Sequence, residues 1–287
     1  MKNFVITGSN GWFSHNFKNS LKKQKNHNVN LHEVDAQNAE TVLNKITDLN
    51  VENIYLIHNG YIKPKDSSNL DSDEYIENLI NNRDLITKFI QNNDISKMFY
   101  PSTGSIYGLR MLDKNKIQRN YTRQKKIDEA VYYDLSEKYD FKIFMPRIFS
   151  VIGPSHHRKY QNSISSMMEN AFHEKKIEIT SRTNNIFSIC YLDCLNEFII
   201  SFFDDPNSES MLFDAANVDT NILELAEKIL ETLDLDNNSL TYSFSNEIEV
   251  EKYVGDNKNF IDMLNYYQIK IPSLGEYLHT LKILLEQ

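Results

Sequence analysis

Short apolar runs and longer periodic stretches take turns along this chain. Phe4-Val5-Ile6 is a run of strand length, closed by Thr7-Gly8-Ser9-Asn10-Gly11 and followed by an amphipathic segment through Phe17 and Leu21. Residues 29–34 alternate as a strand that ends at Asp35, residues 39–49 repeat at helical spacing, and residues 53–57 form the next apolar run. The pattern continues with a helix over 74–92, a strand over 97–100, a helix opening at Tyr121 and carrying Ala130, Val131 and Leu135, and a strand over 141–145. Beyond it, helices are expected over 163–172, 193–203, 222–233 and 274–285, and strands over 177–180, 187–192 and 211–215. Strand and helix in such alternation predict an α/β fold with a doubly wound parallel sheet.

The first strand, glycine turn and helix have the order of a dinucleotide-binding βαβ unit. Glycine lets the backbone approach a pyrophosphate, and the helix N-terminus beyond it offers N–H groups and a positive dipole end. Gly8 and Gly11 fit G-x-x-G-x-x-G, but Ser14 holds the third position, which implies a wider helix–sheet contact or a local hydrogen bond. Asp35, at the end of the second strand, either accepts from adenosine ribose hydroxyls or caps the next helix. No Arg or Lys follows this strand closely, which favours NAD over NADP.

The strand ending at Tyr100 runs into Pro101-Ser-Thr-Gly-Ser-Ile-Tyr-Gly108, hydroxyls and glycines at the strand edge where open α/β sheets bind ligands. Tyr121 and Lys125, one helical turn apart, share a face, so an ammonium there lowers the phenol's pKa and holds it for proton transfer. Y-x-x-x-K occurs elsewhere as well, at Tyr61/Lys65 and Tyr266/Lys270. The first contains Pro64 and the second follows no strand–hydroxyl motif, so context selects Tyr121/Lys125. The basic run His156-His157-Arg158-Lys159 reads equally as an anion contact or a solvated loop.

Together these segments resemble the extended short-chain dehydrogenases/reductases, specifically the NAD-dependent epimerase/dehydratase group that acts on nucleotide sugars. Thr7–Gly11 is similar to that family's TGxxGxxG, Ile57–Gly60 to its strand-end H-L-A-A, and Asn78, Asn82 and Leu85 to its helix pattern N-x-x-G-T-x-N-L. Ser102–Gly108 resembles its hydroxyl segment ending V-Y-G, and Pro146-Arg147 through Gly153-Pro154 its R-x-x-N-V-Y-G-P, with Ser150 where Asn is usual. The resemblance implies a Rossmann-type sheet with a smaller, interleaved C-terminal α/β lobe: residues 1–152, completed by about 187–216, bind dinucleotide, and 153–186 with 217–287 bind substrate.

It further implies Thr103, Tyr121 and Lys125 as catalytic residues. A cofactor surface is implied from Gly8, Asn10, Gly11, Trp12, Phe13, Asp35, His58, Asn59, Gly60, Asn78, Ser102, Tyr121, Lys125, Pro146 and Ile148. For substrate it implies Thr103, Ser105, Ser150, Arg158 and Arg182. Dehydratases of the group carry Asp-Glu directly after the hydroxyl residue; Gly104-Ser105 stand here, which argues against sugar 4,6-dehydration. The Arg that contacts the sugar diphosphate in R-D-F/Y is also missing from Ile186-Phe187-Ser188, leaving Arg182 or Arg158 to substitute. The short interval between Tyr107 and Tyr121 is similar to that of small 4-keto-sugar reductases. The expected activity is thus NAD(P)-dependent oxidoreduction at C4 of a nucleotide-linked hexose, by a reductase or a 4-epimerase. The alternative is a non-catalytic dinucleotide sensor or scaffold of the same fold.

Composition narrows the partners. The 287 residues carry a net charge of −9, 40% hydrophobic and 25% charged residues, which suits a soluble globular protein and disfavours nucleic acid or an anionic membrane as partner. Met1 leads almost directly into the first strand, so no transit peptide is expected and the location is read as cytoplasmic. Cys190 and Cys194, the only cysteines, read as buried thiols; two cysteines make no zinc site, and no metal is expected. A homodimer through the helices around Glu74 and Tyr121 is implied by the resemblance alone.

Overall fold

The computed structural model describes residues 2–23, 29–35, 38–61, 71–108, 116–154, 163–245 and 248–286. The chain divides into two compact units, Met1–Arg147 with Ile199–Leu212, and Ile148–Phe198 with Phe213–Gln287.

The first unit follows the alternation read from the sequence: β1 (Lys2–Thr7), α1 (Trp12–Lys23), β2 (Val29–Val34), α2 (Ala39–Asp48), β3 (Ile54–His58), α3 (Ser72–Gln91) and β4 (Ile95–Phe99). The two-residue β5 (Ser102–Thr103), a 3₁₀ turn (Gly104–Gly108), α4 (Lys116–Tyr139) and β6 (Lys142–Ile148) follow. The helix expected to open at Tyr121 begins at Lys116, so Tyr121 and Lys125 stand inside it rather than at its start. The sheet runs β2-β1-β3-β4-β6, with the opening residues of a later strand, β10 (Met211–Ala215), beyond β6. Its β1–β2, β1–β3, β3–β4 and β4–β6 pairs are all parallel. Strand order reverses at β1, whose neighbours are β2 and β3, and a ligand crevice of such a sheet opens at that switch point, beyond the carboxyl ends of the strands.

Period-two alternation explains how both faces of the sheet are covered. Val5, Leu56, Met98 and Ile143 pack with Ile86, Phe89, Tyr132 and Leu135 of α3 and α4 in one buried cluster. Phe4, one residue out of phase with Val5, meets Phe17 at 6.4 Å and Phe203 at 5.6 Å between ring centroids. Asp71 caps α3, accepting from the amides of Asp73 and Glu74.

The second unit is organised on β9 (Ile186–Tyr191), which pairs with β7 (Ser150–Ile152), β11 (Val218–Asn221) and β13 (Lys252–Tyr253). Because β9 finds its partners there, it and the first half of α6 (Leu192–Asp204) group with this unit; of the residues 187–216 expected to complete the first unit, Ile199–Leu212 do so. The unit also contains α5 (Ser163–Glu174), the parallel pair β8 (Ile177–Ile179) and β12 (Leu240–Tyr242), α7 (Ile222–Thr232), α8 (Lys258–Tyr266) and α9 (Leu274–Leu285). Tyr277 of α9 stacks on Tyr191 at 4.3 Å and donates to the carbonyl of Ile152. Among the described residues no helix is long and apolar enough to cross a membrane.

Candidate active site

The glycine turn is shaped by its neighbours. Gly8 has φ +64°, and a Cβ on it would lie 2.8 Å from the backbone of Asn59 and Gly60, so only glycine fits between β1 and the end of β3. Gly11 donates to the carbonyl of Gly8 at 2.9 Å, and the first bond of α1 runs from His15 to Gly11. The amides of Phe13 and Ser14 lie ahead of that bond, at the positive end of the helix. Ser14 is fully buried and accepts from Asn59 Nδ2 at 3.1 Å. The departure from glycine is therefore absorbed by a local hydrogen bond. Phe13 stacks on Phe99 at 5.5 Å.

Asp35 does not cap α2, whose N-cap is Asn38. The Asp35 carboxylate instead accepts from Asn10 of the glycine turn, and its amide donates to Asn38 Oδ1. Glu33, two residues earlier on β2, pairs with Lys18 of α1.

His58, expected to line the cofactor surface, turns into the core. It is 1% exposed, lies 2.7 Å from Thr7 Oγ1, and stacks on Tyr100. Burial, with the positive charge of Lys125 nearby, lowers its pKa to about 3. Thr7 Oγ1 also accepts from the Gly60 amide, so His58 acts on the Asn59–Gly60 corner through Thr7. Asn82 of α3 donates to the Gly60 carbonyl at 2.7 Å, and Asn78 stands half-buried one turn earlier.

The three catalytic candidates all belong to the first unit. Thr103 ends β5, 3.1 Å from Ser105 Oγ, which lies 2.8 Å from Thr122 Oγ1, the neighbour of Tyr121 on α4. Lys125, only 3% exposed, donates to the carbonyl of Pro101 at 2.7 Å. Its ammonium lies 3.8 Å from the ring centroid of Tyr61, 4.2 Å from that of Tyr100 and 6.0 Å from that of Tyr121. The rings of Tyr61 and Tyr121 meet edge to face at 5.6 Å. A hydroxyl chain thus links Thr103 to Thr122, and an aromatic box links Lys125 to Tyr121, both in the N-terminal half of α4.

Ser102, expected at the cofactor surface, is buried, and its hydroxyl donates to Glu129 Oε1 at 2.5 Å. Arg147 grips the same carboxylate with two donors, at 3.0 and 2.8 Å, and reaches the Tyr107 hydroxyl at 2.9 Å. Pro146, expected beside the cofactor, is buried in β6, and Ile148 at its end is half-buried.

The buried carboxylates on α4 were not foreseen. Asp128 accepts from the Tyr100 hydroxyl at 2.7 Å and from Arg83 at 3.3 Å, and faces the Tyr61 hydroxyl. Burial raises its pKa, against the opposing pull of Tyr100, Lys125 and Arg83. Asp128 and Glu129 follow Lys125 by three and four residues, the spacing that puts them on its face; that periodicity was the signal available.

Of the substrate candidates in the second unit, Ser150 opens β7 opposite Ile189, and the side chain of Arg182 is exposed. Arg158 lies outside the described residues. Where the family's Arg-containing segment would stand, Ser188 donates to Asp219 at 2.5 Å and accepts from the Gly255 amide. Cys190 and Cys194 are both buried free thiols. Among the described residues no group of His, Cys, Asp and Glu forms a metal cluster.

A parallel sheet whose switch point carries a glycine turn, with a hydroxyl–tyrosine–lysine set nearby in sequence order, defines a dinucleotide-binding α/β protein. A family model, "NAD dependent epimerase/dehydratase family", matches residues 6–210; the chain belongs to that family. No curated protein matches. Solved structures with the same fold include a UDP-N-acetylglucosamine 4-epimerase from Bacillus cereus, with TM-score 0.76, 16% identity and 100% of each chain covered. Another is a UDP-N-acetylglucosamine 4-epimerase from Methanobrevibacter ruminantium M1, with TM-score 0.73, 18% identity and 98% of each chain covered. A third is a UDP-glucose 4-epimerase from Thermotoga maritima, with TM-score 0.74 and 15% identity, covering 99% of this chain and 97% of that one.

Proposed function

We propose that this protein is an NAD(P)-dependent oxidoreductase acting at C4 of a nucleotide-linked hexose, with NAD preferred, as a 4-epimerase or a 4-keto-sugar reductase. The observation that supports this reading best is that the hydroxyl chain from Thr103 reaches Thr122, next to Tyr121, while Lys125 lies 6.0 Å from the Tyr121 ring in the same half of α4.

The residues present fit a dinucleotide. Gly8 and Gly11 keep side chains out of the turn, and the α1 N-terminus suits a pyrophosphate. Asp35, held against Asn10, offers a carboxylate for ribose hydroxyls and would repel a 2′-phosphate. When bound, NAD supplies the acceptor and donor of hydride. Tyr121 takes the proton from the sugar hydroxyl or returns it, Lys125 sets a positive charge beside that phenol, and Thr103 hydrogen-bonds the sugar oxygen. Ser105 is the proposed sugar contact beside Thr103. From the second unit, Ser150 is proposed for the sugar and Arg182 for the diphosphate, with Arg158 a further cation for it.

The solved structures of similar fold that are 4-epimerases support the epimerase arm, and the short interval before Tyr121 supports the reductase arm. Self-association through α3 and α4 is proposed on the exposed Ile127 and Tyr133, and the cytoplasm as its place.

The test is Tyr121→Phe assayed on UDP-glucose, UDP-N-acetylglucosamine and dTDP-4-keto-6-deoxyglucose, with nicotinamide measured after denaturing the wild-type protein. Loss of about 10²-fold or more in kcat is expected. Cofactor retained through purification marks an epimerase, and cofactor needed in excess a reductase. Turnover unchanged in the Phe variant removes Tyr121 from the catalytic role, and no dinucleotide binding overturns the reading in favour of a non-catalytic scaffold.

A further inference from the structure

The hydroxyl chain beside the site has only one way to arrange its protons. Thr122 Oγ1 lies 2.9 Å from the carbonyl of Gln118, Ser105 Oγ lies 2.8 Å from Thr122 Oγ1, and Thr103 Oγ1 lies 3.1 Å from Ser105 Oγ. These are three hydrogen bonds, two between hydroxyls and one to a carbonyl, shared by three hydroxyls with one proton each. A carbonyl only accepts, so the Thr122 proton goes to Gln118. Ser105 must then donate to Thr122, and Thr103 must donate to Ser105. Thr103 Oγ1 also accepts from the Ser105 amide at 3.2 Å, so its remaining capacity toward a ligand is as an acceptor.

We infer that Ser105 and Thr122 are positioning residues that hold the Thr103 hydroxyl as a hydrogen-bond acceptor in the free protein. This rests on the proposed role of Thr103 at the sugar C4 oxygen. An alcohol at C4 is met by an acceptor. A ketone, which only accepts, requires Thr103 to turn its proton outward and give up the bond to Ser105, the longest of the three. The chain ends on a backbone carbonyl, which is no base at neutral pH, so it orients a proton and does not carry one away.

Thr122→Val removes the acceptor for Ser105 while keeping the side-chain shape. The Ser105 proton then turns to Thr103, and Thr103 is free to donate outward. Thr122→Ser keeps the chain and serves as the control. Neutron diffraction from deuterium-exchanged crystals of the full chain is expected to show deuterium on Thr103 directed at Ser105 in the wild type, and on Ser105 directed at Thr103 in the Val variant. In kinetics, the Val variant is expected to lower KM for dTDP-4-keto-6-deoxyglucose about five-fold with kcat nearly unchanged, as the worth of one neutral hydrogen bond implies. Deuterium on Ser105 pointing at Thr103 in the wild type overturns the inference. So does a Val variant with the wild-type arrangement. The neutron result stands without turnover, so a protein inactive on all these sugars fails the functional reading alone.

Discussion

The ammonium of Lys125 sits 3.8 Å from the ring centroid of Tyr61, closer than it lies to any other recorded ring. With Tyr100 nearby and Pro101 accepting a hydrogen bond, the cation is almost wholly covered. An ammonium out of water keeps its charge only against such compensation. Tyr61→Leu removes one side of the box. Thermal unfolding should register a loss of roughly 1–2 kcal/mol, the worth of one desolvated cation–π contact. A melting midpoint unchanged in the Leu variant would contradict the covering role.

His58 makes the fold sensitive to acid. Its folded pKa of about 3 lies below the unfolded value of 6.5, so the unfolded chain binds the extra proton between those limits and stability rises with pH across them. The contribution is complete above pH 6.5 and is lost as pH falls toward 3, by up to about 5 kcal/mol. Melting midpoints recorded from pH 7.5 to 4.5 should fall steeply in the wild type. His58→Gln, which does not titrate, should flatten that limb; an unchanged slope would place the acid sensitivity elsewhere.

Glu129 and Arg147 form a two-point ion pair with both partners largely covered. Removing one charge leaves the other stranded, which costs about 3–5 kcal/mol in buried pairs. Glu129→Gln should approach that range. Arg147→Lys should also destabilise, because one ammonium cannot reproduce the fork that reaches Glu129 and the Tyr107 hydroxyl together. Denaturant midpoints of the single and double variants would expose the coupling, and additive effects would refute it.

The elements that were legible in the sequence are those whose apolar spacing is strong. The central strands and α3, α7 and α9 fall within a residue or two of where periodicity puts them. Strands of two to four residues, β5, β7, β11 and β13, are held by pairing across the sheet and leave little pattern of their own. Tyr121 and Lys125 stand out in the sequence as candidates because a hydroxyl segment precedes them. Asp128 and Glu129 were missed because charges at helical spacing look the same on a solvated face as on a buried one; only their partners, Tyr100 and Arg83 for Asp128 and Ser102 and Arg147 for Glu129, tell the two apart. A polar residue at a strand's end such as His58 reads as facing a ligand; its burial against Thr7 and Tyr100 comes from packing that the sequence does not display.

Asp35 should decide between the two nicotinamide dinucleotides. Its carboxylate stands just past β2 and is anchored by Asn10, so it cannot swing away without breaking the link between the glycine turn and the end of that strand. A 2′-phosphate brought to this corner would meet a like charge, at a cost between about 1 kcal/mol in water and about 4 kcal/mol near a protein surface at contact range. Asp35→Asn keeps the amide partner within reach and removes the charge. The ratio of NADP to NAD affinity should therefore rise about ten-fold or more, and the rise should shrink as salt is added, because the repulsion is partly screened. Titrations of both dinucleotides at low and high ionic strength would measure this. An affinity ratio that ignores the substitution would mean that the ribose lies away from Asp35, with the Asn10 contact serving only to hold the turn.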